Sequence, residues 1–130
     1  TPFHDLGHKL LLTQGGSDEV IFPQATLDYY NQVIEAVGGA DKASEFVRFF
    51  ATDGDGHSHI TAGPGLALAN GMIALMQWVE SGEAPEVIQA EQADINNKEV
   101  IATRPVYAWP NTTVYVSGDP SQESSFNAKP

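Results

Sequence analysis

Two short apolar runs, each closed by a glycine-rich segment, dominate the hydrophobic pattern. Residues 9–13 lead into Gly15 and Gly16, and residues 45–50 lead into a loop dense in Gly, Asp and His. Residues 9–13 form a continuous apolar run bounded by a breaker, which is typical of a strand buried on both faces, as in a parallel sheet. Residues 45–50 are rich in aromatic and β-branched residues, which favour a strand. We therefore predict two strands at these positions.

Two longer segments carry apolar side chains at helical spacing. The first begins at Pro23 and is closed by Gly38 and Gly39, a common C-terminal cap. The second runs over residues 66–81 and ends at Gly82. We predict that its buried stripe is formed by Leu68, Met72, Leu75, Met76 and Val79.

The remaining segments are shorter or more polar. Residues 41–44 are interpreted as a polar connector, and residues 87–88, 100–101 and 114–116 as short extended segments. Strand, helix, strand, loop and helix is the order of an α/β unit. We therefore expect an α/β fold of parallel strands with flanking helices, followed by an irregular C-terminal tail from residue 117.

Composition and charge exclude several classes of function. The 130 residues suit one domain, and their apolar content of 42% is ordinary for a folded chain. Seventeen acidic against six basic residues give a net charge of −11, which argues against nucleic acid and anionic membranes as partners. No apolar run is long enough for a transmembrane helix. The absence of cysteine excludes a disulfide framework and a thiol nucleophile.

Asp18 lies just past the end of the first predicted strand. In open α/β sheets, ligands and catalytic groups gather at that edge. The alternative is structural, because an aspartate after two glycines often braces a turn or caps the following helix. The residue type and spacing alone leave both interpretations open.

His57 occupies the matching position after the second strand, in the loop from Thr52 to Gly65. A histidine there could accept a hydroxyl proton while a carboxylate holds its other ring nitrogen. A calcium loop starting at Asp53 fails, because its sixth and twelfth positions are Ser58 and Pro64 rather than Gly and Glu. His57 and His59 could bind a metal, but no third ligand at sensible spacing is visible. A plain polar loop is the remaining alternative.

Several ordered motifs resemble the C-terminal part of the tannase and feruloyl esterase family. Residues 9–18 correspond to the family's strand and its H-G-W-A-D segment, and residues 26–30 match T-x-D-Y-Y. Residues 54–57 match the G-M-G-H segment, and residues 63–65 continue as in G-G-P-G. Residues 78–85 are similar to W-V-E-x-G-x-A-P. Each motif is weak alone, but their order from Lys9 to Phe126 is specific.

The resemblance implies an α/β-hydrolase fold and hydrolysis of carboxylic esters by a serine. Carried over by position, Asp18 becomes the acid and His57 the base of a catalytic triad, with no cofactor and no metal. The expected substrate is an aromatic ester of the feruloyl or galloyl type, and the expected location is secreted or periplasmic. Where the family has cysteines, this sequence has Ser58, Tyr107 and Ala128. His57 must therefore be held by packing and hydrogen bonds alone.

The nucleophile is the main departure from the family pattern. No serine of this sequence lies in a G-x-S-x-G motif. We therefore interpret residues 1–130 as the C-terminal segment of a hydrolase whose nucleophile half and lid domain are absent, and expect the isolated chain to be inactive. Hydrolysis would then need the N-terminal remainder in cis or in trans. The competing hypothesis is a non-catalytic α/β domain that binds a partner or ligand through the same edge.

Overall fold

A computed structural model describes residues 2–57, 65–94 and 96–130. The elements of the first part are helix α1 (Pro2–Asp5), strand β1 (Leu10–Gly15), helix α2 (Pro23–Val37), helix α3 (Ala40–Ser44) and strand β2 (Val47–Thr52). Both predicted strands and the helix after Pro23 are confirmed. The helix ends where predicted, because Gly38 adopts the left-handed conformation (φ 88°) that terminates α2.

Strands β1 and β2 pair in parallel and in register, from Leu10 opposite Val47 to Gly15 opposite Thr52. Helix α2 forms the crossover between them. Both strands therefore end at the same edge of the sheet, and the loops that follow them begin side by side.

The predicted polar connector is wrong in one respect, because Ala40–Ser44 forms the short helix α3. The reason lies in Ala43, whose side chain is fully buried. In a helix this short, one buried apolar side chain anchors the turn, and the polar residues beside it stay largely at the surface.

Among the described residues from 65 onwards, the structure has one α-helix and two antiparallel strand pairs. The elements of this part are helix α4 (Gly71–Ser81), strands β3 (Val87–Ala93), β4 (Val100–Tyr107) and β5 (Thr112–Tyr115), a 3₁₀ turn (Glu123–Ser125) and strand β6 (Phe126–Lys129). Strand β3 pairs antiparallel with β4, and β5 pairs antiparallel with β6. The predicted parallel arrangement thus holds for β1 and β2 only. The short connections after β3 and β5 cannot make a parallel crossover.

The prediction of an irregular tail is also wrong in part, because residues 126–129 form strand β6. Phe126 is buried and its ring packs edge-on against Tyr115, with 5.6 Å between the ring centroids. Phe126 anchors this otherwise polar segment against β5. The polar composition of the tail does not predict this contact.

Helix α4 is shorter than predicted, and the face that it packs against the core differs from the predicted one. It begins at Gly71, and Met72, Met76 and Val79 of the predicted buried stripe are exposed by 70%, 54% and 64%. Trp78, near the end of the same helix, is buried, as its position there predicts. The helix is apolar on several faces, so helical spacing alone does not determine which face meets the core.

The core lies on both faces of β2. Val47 and Phe49 pack on the side of α2, with Tyr30 and Phe46. Phe50 packs on the opposite side, against the hairpin of β3 and β4. This double burial explains why apolar side chains point to both faces of β2.

Candidate active site

Asp18 lies in the turn that follows β1, and its side chain is buried. Its Oδ1 atom accepts hydrogen bonds from the backbone N–H groups of Val20 and Ile21, both at 2.9 Å. Asp18 therefore braces this turn, one of the two structural roles considered for it. Helix α2 begins after Phe22 without a side-chain cap. The capping role is therefore not observed.

Asp18 also contacts the imidazole of His57. The Nδ1 atom of His57 lies 3.1 Å from Asp18 Oδ2 and 3.2 Å from Oδ1. The carboxylate is an acceptor, so the neutral imidazole carries its proton on Nδ1 and keeps the lone pair on Nε2. The carboxylate is 7% exposed and the imidazole 46% exposed, so a buried acceptor holds a half-exposed ring.

The parallel register brings these two side chains together across 39 positions of sequence. Beyond the last pair of the ladder, Gly16 N–H donates to the Thr52 carbonyl at 2.7 Å. Gly15 allows the loop after β2 to pass directly over it. A Cβ atom there would lie 2.6 Å from the carbonyl oxygens of Asp55 and Gly56.

Two opposing effects determine the pKa of Asp18. Burial is the largest single influence and raises the pKa. Hydrogen bonds from the N–H groups of Ile21 and Val20, and from the side chains of His57 and Gln14, together outweigh it. They lower the pKa from 3.8 to about 2, so Asp18 is ionised at neutral pH.

Gln14 is a member of this cluster that the motifs do not reveal. It lies in β1 and is buried, and its side-chain amide donates to Asp18 Oδ2 at 3.2 Å. The one available signal is a polar residue at the end of an apolar run, four positions before the aspartate. Ser58 and His59, named above for the cysteine pattern and the metal alternative, lie outside the described residues.

Neither a metal centre nor a membrane span emerges from the described part of the chain. Within residues 2–57, 65–94 and 96–130, no group of three or more His, Asp or Glu side chains is placed to hold a metal ion. The helices in these ranges are too short or too polar to cross a bilayer.

Comparison with known proteins places this segment in a family. A sequence profile described as tannase and feruloyl esterase matches residues 1–128. The chain belongs to the tannase and feruloyl esterase family. It is 33% identical over 120 residues to a probable feruloyl esterase of Arthroderma benhamiae. It is 36% identical over 126 residues to the mono(2-hydroxyethyl) terephthalate hydrolase of Piscinibacter sakaiensis.

The fold agrees with this assignment to the tannase and feruloyl esterase family. The structure superimposes on an esterase from Aspergillus oryzae with a TM-score of 0.88 at 26% identity, over 98% of this chain and 28% of that one. The two curated relatives are matched over 92% and 95% of this chain, but it spans only 22% and 20% of their lengths. The 130 residues thus correspond to about a fifth of such a protein.

Proposed function

We propose that this chain is the C-terminal segment of a serine carboxylic ester hydrolase and supplies the acid and the base of its catalytic triad. Asp18 is the acid and His57 the base. The serine, the oxyanion hole and the lid belong to the N-terminal remainder of the hydrolase, acting in cis or in trans. The substrate is an aromatic ester of the feruloyl or galloyl type.

One observation carries the proposal, namely the contact of His57 Nδ1 with the buried carboxylate of Asp18 at 3.1 Å. In a serine hydrolase, the carboxylate fixes the imidazole tautomer and stabilises the imidazolium that forms during the reaction. Asp18 is suited to this because its pKa of about 2 keeps it ionised at neutral pH. The opposite ring nitrogen, Nε2, then carries the lone pair that accepts a proton.

The proposed reaction requires only the serine, His57, the ester and water. As the serine oxygen attacks the ester carbonyl, its proton passes to His57 Nε2. The imidazolium returns this proton to the alcohol as the ester C–O bond breaks, which leaves an acyl-serine. His57 then removes a proton from water, the hydroxide attacks the acyl-serine, and the proton returns to the serine as the carboxylic acid leaves.

Exposed apolar surface supports the need for further polypeptide. On α4, Met72, Ile73, Met76 and Val79 are all more than half exposed, and so are Val20 and Phe22 beside Asp18. Within the described strands, β1 pairs only with β2. Contiguous exposed apolar side chains and an open strand edge are surfaces that larger structures normally cover.

The substrate class rests on the relatives. Their names specify feruloyl esters and a terephthalate ester, both of which carry an aromatic acyl group. The same resemblance supports a secreted or periplasmic location. Immunodetection of the protein in culture medium and in cell fractions tests that part of the proposal.

The proposal is tested by comparing the 130-residue chain with the proposed longer polypeptide, in which the N-terminal remainder is joined to this chain or supplied in trans. Methyl ferulate and methyl gallate are the substrates, and a fluorophosphonate probe reports an activated serine. We expect the longer polypeptide to hydrolyse at least one ester and to be labelled, and the 130-residue chain to do neither. His57→Ala should lower kcat about 10³-fold or more.

His8→Ala is the matched control, because His8 is an exposed histidine that precedes β1, whereas Asp18 follows the opposite end of that strand, and it should leave kcat unchanged. Full activity in His57→Ala would overturn the catalytic role and favour the non-catalytic binding domain. Hydrolysis by the 130-residue chain itself, abolished by His57→Ala, would overturn the need for a serine from elsewhere.

A further inference from the structure

We propose that Gln14 is a positioning residue for Asp18, and that the hydroxyl of Thr26 anchors its amide oxygen. The geometric part concerns only described residues of this chain. Its consequence for catalysis rests on the function proposed above.

The amide of Gln14 connects the two ends of the turn that contains Asp18. Its Nε2 atom donates to the carbonyl of Gly15 at 3.0 Å and to the carbonyl of Ile21 at 3.2 Å. The same nitrogen lies 3.2 Å from Asp18 Oδ2, so its two N–H groups serve three acceptors and one of them is shared. Gln14 itself is 5% exposed, so these are buried interactions that water cannot readily replace.

Gln14 matters to one carboxylate oxygen in particular. Asp18 Oδ1 is held by two backbone N–H groups, from Val20 and Ile21. The hydrogen bonds to Oδ2 come from Gln14 and His57. Without the amide, His57 would be the remaining described donor to Oδ2, so the orientation of the carboxylate towards the imidazole would be less firmly fixed.

Thr26 holds the other end of the Gln14 amide. It lies in the first turns of α2, and its hydroxyl donates to Gln14 Oε1 at 2.5 Å. If the amide were reversed, Gln14 Oε1 would face two carbonyl oxygens and a carboxylate. These three acceptors therefore orient the amide, and the Thr26 hydroxyl, which can donate or accept, donates to the amide oxygen that this orientation turns towards α2. The arrangement therefore has one favourable orientation, and helix α2 is coupled through it to Asp18.

The test uses NMR on the 130-residue chain, with no substrate and no serine required. The readouts are the pKa of Asp18, from its side-chain carboxyl ¹³C shift, and the fraction of His57 protonated on Nδ1, from its ring ¹⁵N shifts at alkaline pH. In Gln14→Leu and Thr26→Val, we expect the pKa of Asp18 to rise from about 2 towards 3.8. We also expect the Nδ1-protonated fraction to fall.

Thr26→Ser should leave both readouts at their wild-type values, because serine keeps the hydroxyl. Thr112→Val, at an exposed position of β5, is the matched control and should change neither readout. Circular dichroism establishes that each variant is folded. If Gln14→Leu does not fold, the three threonine variants still decide the question.

Unchanged readouts in folded Gln14→Leu, or in Thr26→Val, would overturn the inference. In the longer polypeptide, we expect Gln14→Leu to lower kcat about ten-fold or more with KM little changed. The NMR result is independent of ester hydrolysis. Altered readouts in a polypeptide that hydrolyses no ester would therefore refute the proposed function and leave the positioning role of Gln14 intact.

Discussion

The backbone N–H of Ser17 donates a hydrogen bond to the carbonyl of Asp55 at 2.9 Å. This bond joins the residue before Asp18 to the loop that carries His57. Together with the bond from Gly16 to Thr52, it attaches the two loops by main chain alone. In a chain without cysteine, these backbone bonds and the contact of His57 with Asp18 hold the histidine loop in place.

Gly15→Ala should disrupt this attachment, because the added Cβ would lie 2.6 Å from two backbone carbonyl oxygens. Neither oxygen can move without moving the histidine loop. We expect a loss of about 1–3 kcal/mol in the free energy of unfolding, measured by urea denaturation. NMR should also show that the contact of His57 with Asp18 weakens.

Gly71→Ala provides the comparison for this effect. A Cβ at Gly71, the first residue of α4, meets only Leu11 Cδ2 at 3.9 Å, an ordinary contact. Alanine should be neutral there, or stabilise the chain by up to about 1 kcal/mol, because it loses less backbone entropy on folding. Equal effects of the two alanines would contradict the close packing at Gly15.

Phe50 and Phe22 form a matched pair for testing the core between β2 and the hairpin of β3 and β4. Phe50 is fully buried against the β3 and β4 hairpin, whereas Phe22 is 73% exposed. Phe50→Ala should lower the free energy of unfolding by about 3–5 kcal/mol. Phe22→Ala should change it by no more than about 0.5 kcal/mol. Urea denaturation of both variants measures this, and similar losses would refute the described packing.

The first part of the fold could be predicted because local signals agree there. The apolar run of β1, the proline that begins α2 and the glycine that ends it all indicate one parallel crossover. Asp18 and His57 follow the two strands, so their proximity is a consequence of parallel pairing. Gln14 could not be predicted, because its role depends on three acceptors brought together by a turn.

The second part was predicted less well because its structure depends on contacts distant in sequence. Trp78, rather than the methionines, faces the core, where it lies near the side chains of Lys9 and Arg48. Strand β6 depends on Phe126, which packs against Tyr115 and lies beneath the guanidinium of Arg104 at 4.5 Å. Neither partnership is visible in the spacing of apolar residues.

The exposed methionines of α4 provide a test of the proposed N-terminal remainder. The double variant Met72→Gln with Met76→Gln should leave the stability of the 130-residue chain within about 0.5 kcal/mol, because both side chains are already exposed. In the longer polypeptide, we expect a loss of about 1 kcal/mol or more, since burial against the remainder would be weakened. Urea denaturation of both lengths measures the difference. Glu80→Gln on the same helix is the control, and equal effects in both lengths would argue against a covered face.

Acid sensitivity provides the last prediction, and its sign follows from the pKa of Asp18. The folded state holds this pKa at about 2, below the ordinary value of 3.8 that the unfolded chain has. Between these values, the unfolded state binds a proton that the folded state does not. The stabilisation is therefore complete above the unfolded pKa and is lost as the pH falls towards 2.

Asp18→Asn should reduce the pH dependence of the free energy of unfolding between about pH 4 and pH 2, measured by urea denaturation at a series of pH values. Part of the slope should remain, because the backbone N–H groups of Asn96 and Ser121 lower the pKa values of Asp94 and Asp119. Asp94→Asn is the comparison, since it should remove its own share and leave that of Asp18. Identical slopes in the wild-type chain and Asp18→Asn would show that the hydrogen bonds to Asp18 do not favour its ionised form, and would remove the basis for its role beside His57.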